Sequence, residues 1–326
     1  MRARLPHAIL LQGPPGIGKL ALAQEFAQSL LCESPADGGF ACGACPSCGW
    51  FAQYSHPDYR RIRPEALEDE PADDEGGDEG EAKKSGKSGK APSKEIKIEQ
   101  VRHLGDWINV STHRQGKRVV LLYPAEALNT ASANALLKTL EEPPPDTVFL
   151  LVSHAPDSLL PTIVSRCHRF SLAIPPQEEA LAWLKDNKVA DAEAWLAEQG
   201  GAPLAAFQAA QAASRESLEA FLGQLVRPDR DTAVKLGAQL QKEAPAELVV
   251  WLQRWLSDMF SVKLAGRVRY YPRYRKQLTA LAARTDVAAL QSMVKKLNER
   301  RAIAEHPLAA RLFIEDMLLD YSALFS

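Results

Sequence analysis

No uninterrupted apolar run in the 326-residue sequence approaches the length that spans a bilayer, which excludes a membrane-crossing helix. The opening MRARLPHAILLQG runs into a Gly/Pro loop without a small-residue cleavage site, so no signal peptide is expected. The expectation is a cytoplasmic protein with no membrane partner. Cysteine is scarce: five in all, an odd number, four of them between residues 32 and 48. That distribution argues against a disulfide framework and for reduced thiols around a metal. Apolar residues almost vanish from Pro64 to Lys94, where an acidic block, EALEDEPADDEGGDEGEAKK, meets a lysine block, SGKSGKAPSK. Such a segment cannot bury enough surface to offset its ordering entropy. Residues 64–95 are therefore expected to be a disordered, solvated insertion in a surface loop, the alternative being an electrostatic interaction tail. A net charge of −2 decides little, because the charge is so unevenly placed.

What is present suits a folded chain of two or three domains, with 46% hydrophobic and 25% charged residues. In the first half, HAILLQG (7–13), YRRIR (59–63), KRVVLLY (117–123), TVFLLVSH (147–154) and HRFSLA (168–173) read as strands. Between them, a helix runs from the loop Gly13–Lys19 through Leu31, and IKIEQVRHLGDWINV (96–110), ASANALLKTLEE (131–142) and LLPTIVSRC (159–167) read as helical. Strands alternating with helices predict an α/β core, a parallel sheet covered on both faces. From Pro175 onward the strands disappear, and apolar residues recur at helical spacing as far as Phe325. Breaks near Pro175 and Arg227–Arg230 predict a core over 1–174, a small helical block over 175–228 and an all-helical block over 229–326.

GPPGIGKL, Gly13 to Leu20, lies between a strand and a helix. Backbone N–H groups around Gly13, Gly16 and Gly18 can there surround a phosphate, with Lys19 reaching its outer oxygens. Against the pattern G-x-x-x-x-G-K-[ST] the last position is Leu20, which removes the hydroxyl that ligates magnesium. The metal-binding acid expected at the end of a neighbouring strand is also missing, since VVLLYPAEAL offers Tyr123 and Pro124, with Glu126 displaced along the chain. A bare strand-to-helix turn made by Gly and Pro is the competing reading.

The cysteines follow C-x9-C-x2-C-x2-C, from Cys32, Cys42, Cys45 and Cys48. Four thiolates so spaced can enclose one tetrahedral metal with no position left for water, a structural site; zinc and an iron–sulfur centre both fit the spacing. Cys167 stands apart and is expected to be a buried packing residue. RVRYYPRYRK (267–276) interleaves arginine with tyrosine, a mixture that suits phosphates and bases. The loop signals favour a turn between helices, broken at Pro272, over such a nucleic-acid contact.

The run AEALNTASANALLKTLEEPPPDTVFLLVSHAPDSLLPTIVSRCHRF (125–170) closely resembles the AAA+ clamp-loader ATPases of bacterial DNA polymerase III. The resemblance takes in HAILLQGPPGIGK, the cysteine insert after the first helix, ANALLKTLEEPP and SRC, and extends more weakly through the helical C-terminal half. It covers nearly the whole chain except the acidic insertion. It implies an AAA+ core over 1–174, a helical lid over 175–228 and an oligomerising all-α collar over 229–326. Family members usually carry a short leader before the first strand, so the start of this chain reads as displaced or truncated.

Clamp loaders are arcs of related subunits with ATP at their boundaries, and a Ser-Arg-Cys motif from one subunit completes its neighbour's site. Here the resemblance gives that motif to Ser165, Arg166 and Cys167, with Arg166 acting in trans. A guanidinium suits the task because it stays charged and offers phosphate a planar fork of donors. The resemblance also puts Ser153 where a polar sensor of the γ-phosphate lies, and Leu204 where active relatives carry a lid arginine. ATP or ADP binding by Gly13, Gly16, Gly18, Lys19 and Ser153 without hydrolysis is what these residues imply. For Cys32, Cys42, Cys45 and Cys48 the resemblance points to structural Zn²⁺, in a module over 32–50 that could brace contacts with a neighbour.

The expected function is that of a non-catalytic subunit helping to load the sliding clamp onto primed DNA. Its implied partners are motor subunits of the gamma/tau type, a clamp-opening delta subunit, the clamp and primer–template DNA. An autonomous AAA+ ATPase and a zinc-dependent nucleic-acid-binding module are the competing readings.

Overall fold

The apolar runs of the first half pair into one sheet. In chain order the elements are β1 (Ala8–Gln12), α1 (Lys19–Leu31), α2 (Pro46–Ala52), β2 (Tyr59–Ile62), α3 (Ile98–Ile108), β3 (Arg118–Leu122), α4 (Thr130–Glu141), β4 (Thr147–Ser153), α5 (Pro161–Val164) and β5 (His168–Ser171). The computed structural model describes residues 5–67, 92–110, 112, 116–212, 215–304 and 309–325. Of the insertion expected over 64–95, residues 68–91 lie outside the described residues. Its described margins are tied together: Ala66 N donates to Ser93 O at 3.0 Å, and the Glu65 carboxylate accepts from Ser93 N and from Lys97 Nζ.

The sheet is parallel throughout, in the order β2-β3-β4-β1-β5. Every residue of β3 and β4 is buried, because both faces of these strands are covered. Alternation divides their side chains between two layers. Ile9, Leu11, Val119, Leu121, Leu150 and Val152 pack with Ala23, Ala27 and Leu31 of α1. Leu10, Val120, Leu122, Phe149 and Leu151 pack with Val101 and Leu104 of α3 and Leu136 and Leu140 of α4. Burying each such aliphatic side chain contributes about 1.5–3 kcal/mol, so the two layers hold the central strands in register. β5 differs, an edge strand exposed at each of its positions.

A second compact unit begins at Pro175. It contains α6 (Gln177–Asp186), α7 (Ala192–Glu198), α8 (Pro203–Ala212), α9 (Arg215–Val226), α10 (Arg230–Gln239), α11 (Pro245–Ala265), α12 (Arg275–Arg284), α13 (Val287–Ile303) and α14 (Ala310–Ser322). Leu184, Trp195, Leu196 and Ala206 form a small apolar cluster among α6, α7 and α8. A larger cluster surrounds the fully buried Trp255 of α11, whose Nε1–H donates to Tyr321 Oη, which donates in turn to Leu225 O. The apolar face of α9, Leu218, Phe221, Leu222 and Leu225, is buried in the larger cluster together with Ala233 and Leu236 of α10, across the connection at 227–229. Among the described residues no helix is long and apolar enough to cross a membrane.

Candidate nucleotide and metal sites

Gly13–Gly18 joins the C-terminal end of β1 to the N-terminus of α1, where free N–H groups and the helix dipole favour an anion. The turn depends on glycine. Gly16 and Gly18 have φ of 74° and 95°, and a Cβ on Gly13 would stand 2.4 Å from the Leu172 carbonyl oxygen. Lys19 opens α1 and is only 2% exposed. Its Nζ donates to the carbonyls of Gly13 at 2.7 Å and Pro14 at 2.5 Å, and to Nδ1 of His154 at 2.8 Å. An ammonium has three N–H donors, so all are engaged within the protein. Burial pulls Lys19 down to about 8, with the charge of Glu126 acting the other way.

The side chain that reaches Lys19 from the end of β4 is thus His154. Ser153, which the sequence places there, is fully buried and accepts a hydrogen bond from Ala155 N at 3.1 Å. Because Lys19 can only donate, Nδ1 of His154 accepts, and Nε2 carries the proton toward Tyr123 Oη, 3.1 Å away. The backbone N–H of His154 donates to Glu126 Oε1 at 3.0 Å. Burial, and then the charge of Lys19, hold His154 below its ordinary value, with Glu126 opposing. Leu20 is half-buried and packs, with Tyr123 and Leu172, against the α1 side of the sheet. An apolar contact therefore stands where a metal-binding hydroxyl would be.

Arg166 lies at the other end of the sheet. Ile9 of β1 pairs with His168 of β5, and Gln12 with Ser171, so Arg166 precedes the N-terminal end of β5 while Gly13 follows the C-terminal end of β1. The four paired residues of parallel strand lie between these levels, with Arg166 two residues before the first and Gly13 one after the last, so the two stand at opposite ends of the sheet. Arg166 follows α5 directly. Its Nη1 donates to Thr162 O at 2.8 Å and to Ser165 Oγ at 3.4 Å, and Nη2 donates to Glu141 Oε1. Ser165 Oγ donates to Thr162 O at 3.1 Å. Cys167 packs with Ile163 and Leu159 on the inner side of the sheet, and burial pushes its thiol up to about 11, as suits a packing residue.

The four cysteines of residues 32–48 converge. Their sulfurs all lie within 4.8 Å of one another, with Cys32 Sγ at 3.6 Å from Cys42 Sγ and 3.9 Å from Cys45 Sγ. Four thiolates at zinc bonding distance on a tetrahedron stand about 3.8 Å apart, so this donor set fits a metal such as zinc. Cys32 closes α1, and Gly43, at φ 71°, turns the chain after Cys42. Cys45 caps α2 by accepting from Cys48 N. The sequence pattern shows no element between Leu31 and Tyr59, because Gly and Pro crowd the cysteines; the thiol cap and Pro46 at its first position start this helix. Burial raises Cys45, yet amide donors from Cys48 and Glu33 and neighbouring thiols together bring it down to about 6. Ser47 Oγ donates to Leu31 O at 2.6 Å and receives His56 Nε2–H at 2.7 Å, while His56 Nδ1 accepts from Asp58 N. These bonds tie the cysteine loop to the end of α1 and the start of β2.

Two family models match the chain: one described as DNA polymerase III, delta subunit, over residues 1–176, and one as its C-terminal part, over residues 211–323. Curated relatives carry the name DNA polymerase III subunit delta'. The protein from Pseudomonas aeruginosa is 43% identical over 63% of this chain and 56% of its own length. That from Haemophilus influenzae is 34% identical over 79% of this chain and 72% of its own. The Escherichia coli protein is 35% identical over 77% and 69%. The chain belongs to the delta-prime family of DNA polymerase III clamp-loader subunits. In this chain a five-stranded parallel sheet with its helices is followed by a helical C-terminal region.

In this delta-prime family member the stretch 267–276 is not an open basic arm. Asp258, fully buried in α11, accepts the backbone N–H groups of Arg269, Tyr270 and Tyr271 at 2.7–3.1 Å. Tyr271 is buried, Arg269 Nη2 donates to Gly200 O, and Arg273 pairs with Asp191. The residues form the turn between α11 and α12, including a short helical turn at Pro272–Tyr274. Leu204, the second residue of α8, is half-buried.

Proposed function

We propose that this chain is the clamp-loader subunit that lends Arg166 to a neighbour's ATP site while turning over no ATP itself, so that the assembled complex can load the sliding clamp onto primed DNA. The observation that carries this reading is the placement of Arg166 and the Lys19 loop at opposite ends of one parallel sheet. An arginine at the far end of the sheet from its own phosphate loop serves phosphoryl transfer only in another chain. The loop supports the other half of the reading. A nucleotide, ATP or ADP, entering Gly13–Lys19 must take Lys19 from His154 and meets Leu20 in place of a magnesium-binding hydroxyl. Occupancy without turnover is the result.

The partners of this reading are motor subunits of the gamma/tau type, the delta subunit, the clamp and primer–template DNA, in the cytoplasm. The helical region beyond Pro175 serves as lid and collar, the collar joining the chain to other subunits. Structural zinc on Cys32, Cys42, Cys45 and Cys48 holds the 32–50 loop beside α1. The competing reading as a nucleic-acid-binding module loses its main support at 267–276, whose backbone is engaged by Asp258.

The test is ATP hydrolysis by the reconstituted complex, stimulated by clamp and primer–template DNA, with the native chain or Arg166→Ala. The isolated chain should be silent, and Arg166→Ala should depress turnover without preventing assembly. Hydrolysis by the isolated chain, or an assembled Arg166→Ala complex at full rate, would overturn the reading.

A further inference from the structure

Arg166 is presented with a partner already in place. Its Nη2 donates to Glu141, while Nη1 is held by Thr162 O and Ser165 Oγ of its own helix end. Glu141 is the last residue of α4 and is followed by Glu142 and three prolines. A carboxylate at a helix C-terminus faces the negative end of the dipole, so local helix energetics disfavour an acid here. What Glu141 gains at this position is the guanidinium. Both side chains remain accessible, Arg166 one-third and Glu141 about half exposed. Such exposed pairs are weak. A phosphate oxygen, which forms shorter and stronger charge-assisted bonds to arginine, can compete for the same donors.

We infer that Glu141 is a positioning residue that parks Arg166 between catalytic engagements. The inference rests on the reading of Arg166 as a trans-acting finger. In the resting chain the carboxylate fixes the fork at the surface. Engagement at the neighbouring ATP site requires Nη2 to leave Glu141, and the carboxylate left beside the phosphates repels them. Glu141 is thus a counter-ion that lowers the fraction of time the finger spends on the nucleotide.

The test compares the native chain, Glu141→Gln, Glu141→Asp, Arg166→Ala and the double variant Glu141→Gln/Arg166→Ala in the reconstituted complex with clamp, primer–template DNA and ATP. Assembly is checked by size exclusion. Glu141→Gln keeps the shape and removes the charge, and should raise turnover by about two- to fivefold, the range that an exposed ion pair commands. The change should appear in kcat more than in KM, because the finger meets charge that develops in the transition state. Glu141→Asp, which keeps the charge, should stay near the native rate, and added salt should narrow the gap between native and Gln chains. In the Arg166→Ala background, Glu141→Gln should change nothing.

An unchanged or lower rate for assembled Glu141→Gln would overturn the inference, as would an equal gain with Arg166 absent. Failure of Glu141→Gln to assemble would do the same, since a pair that must open cannot be one on which the fold depends. If Arg166→Ala alone leaves turnover intact, the finger assignment itself fails, an outcome distinct from these.

Discussion

Nζ of Lys19 and Nδ1 of His154 are 2.8 Å apart, an ammonium donating to a neutral imidazole at the end of the glycine loop Gly13–Gly18. The direction of that bond has a measurable pH signature. Burial and the lysine charge hold His154 below its ordinary value of 6.5, so the unfolded chain binds a proton that the folded chain refuses. Stability from this group is complete above about pH 6.5 and is lost as pH falls from there through the depressed folded value. The melting temperature of the native chain should therefore drop more steeply between about pH 7 and 5 than that of His154→Gln, which has no titrating ring. Parallel profiles for the two proteins would contradict a neutral, Lys19-bound imidazole.

Removal of metal should act on the cysteine loop first. With zinc bound, Cys32, Cys42, Cys45 and Cys48 should resist thiol reagents, and chelation should release about one equivalent of zinc and make all four reactive. Cys32 and Cys42, 3.6 Å apart, should then be the first pair to oxidise. Loss of the loop should lower the melting temperature of the whole chain by several degrees. Thiol titration before and after chelation, alongside a melting curve, checks this; four thiols that titrate freely in the native protein would exclude the closed site.

Asp258 organises the turn after α11 through three consecutive backbone amides, those of Arg269, Tyr270 and Tyr271. Asp258→Ala strands these donors; the buried Tyr271 amide alone costs about 1–3 kcal/mol, and the part-buried amides of Arg269 and Tyr270, which water can reach, add less. Asp258→Asn keeps one oxygen acceptor and should lose less. Denaturant unfolding followed across both variants measures the difference, and a native midpoint for Asp258→Ala would show the amides to be satisfied by water.

The parts of this architecture that could be read from the chain are those where one local pattern carries the information. β3 and β4 are legible because VVLL (119–122) and VFLLV (148–152) are apolar without interruption, as strands buried on both faces tend to be. The cysteine cluster is legible because its ligands are close in sequence. α2 is hidden, since Pro, Gly and Cys mimic a turn and the cap is a thiol rather than the usual hydroxyl or carboxylate. His154 is hidden for another reason: its meaning comes from Lys19 and Tyr123, residues 135 and 31 positions away, brought together only by the sheet order. The tie between Asp258 and 269–271 is equally nonlocal in effect, and without it the arginines and tyrosines look like a surface for nucleic acid.

The pairing of β1 with β5 also gives the molecule a polarity. On the proposed reading, strands that run the same way put what the chain can offer at one end of the sheet and what it could accept at the other. Copies joined head to tail would bring each guanidinium to a loop whose lysine is engaged and whose last position is leucine, so a file made of this chain alone would contain junctions and no engine. In the proposed assembly only a dissimilar neighbour makes the offered end useful, and the chain is an end-piece.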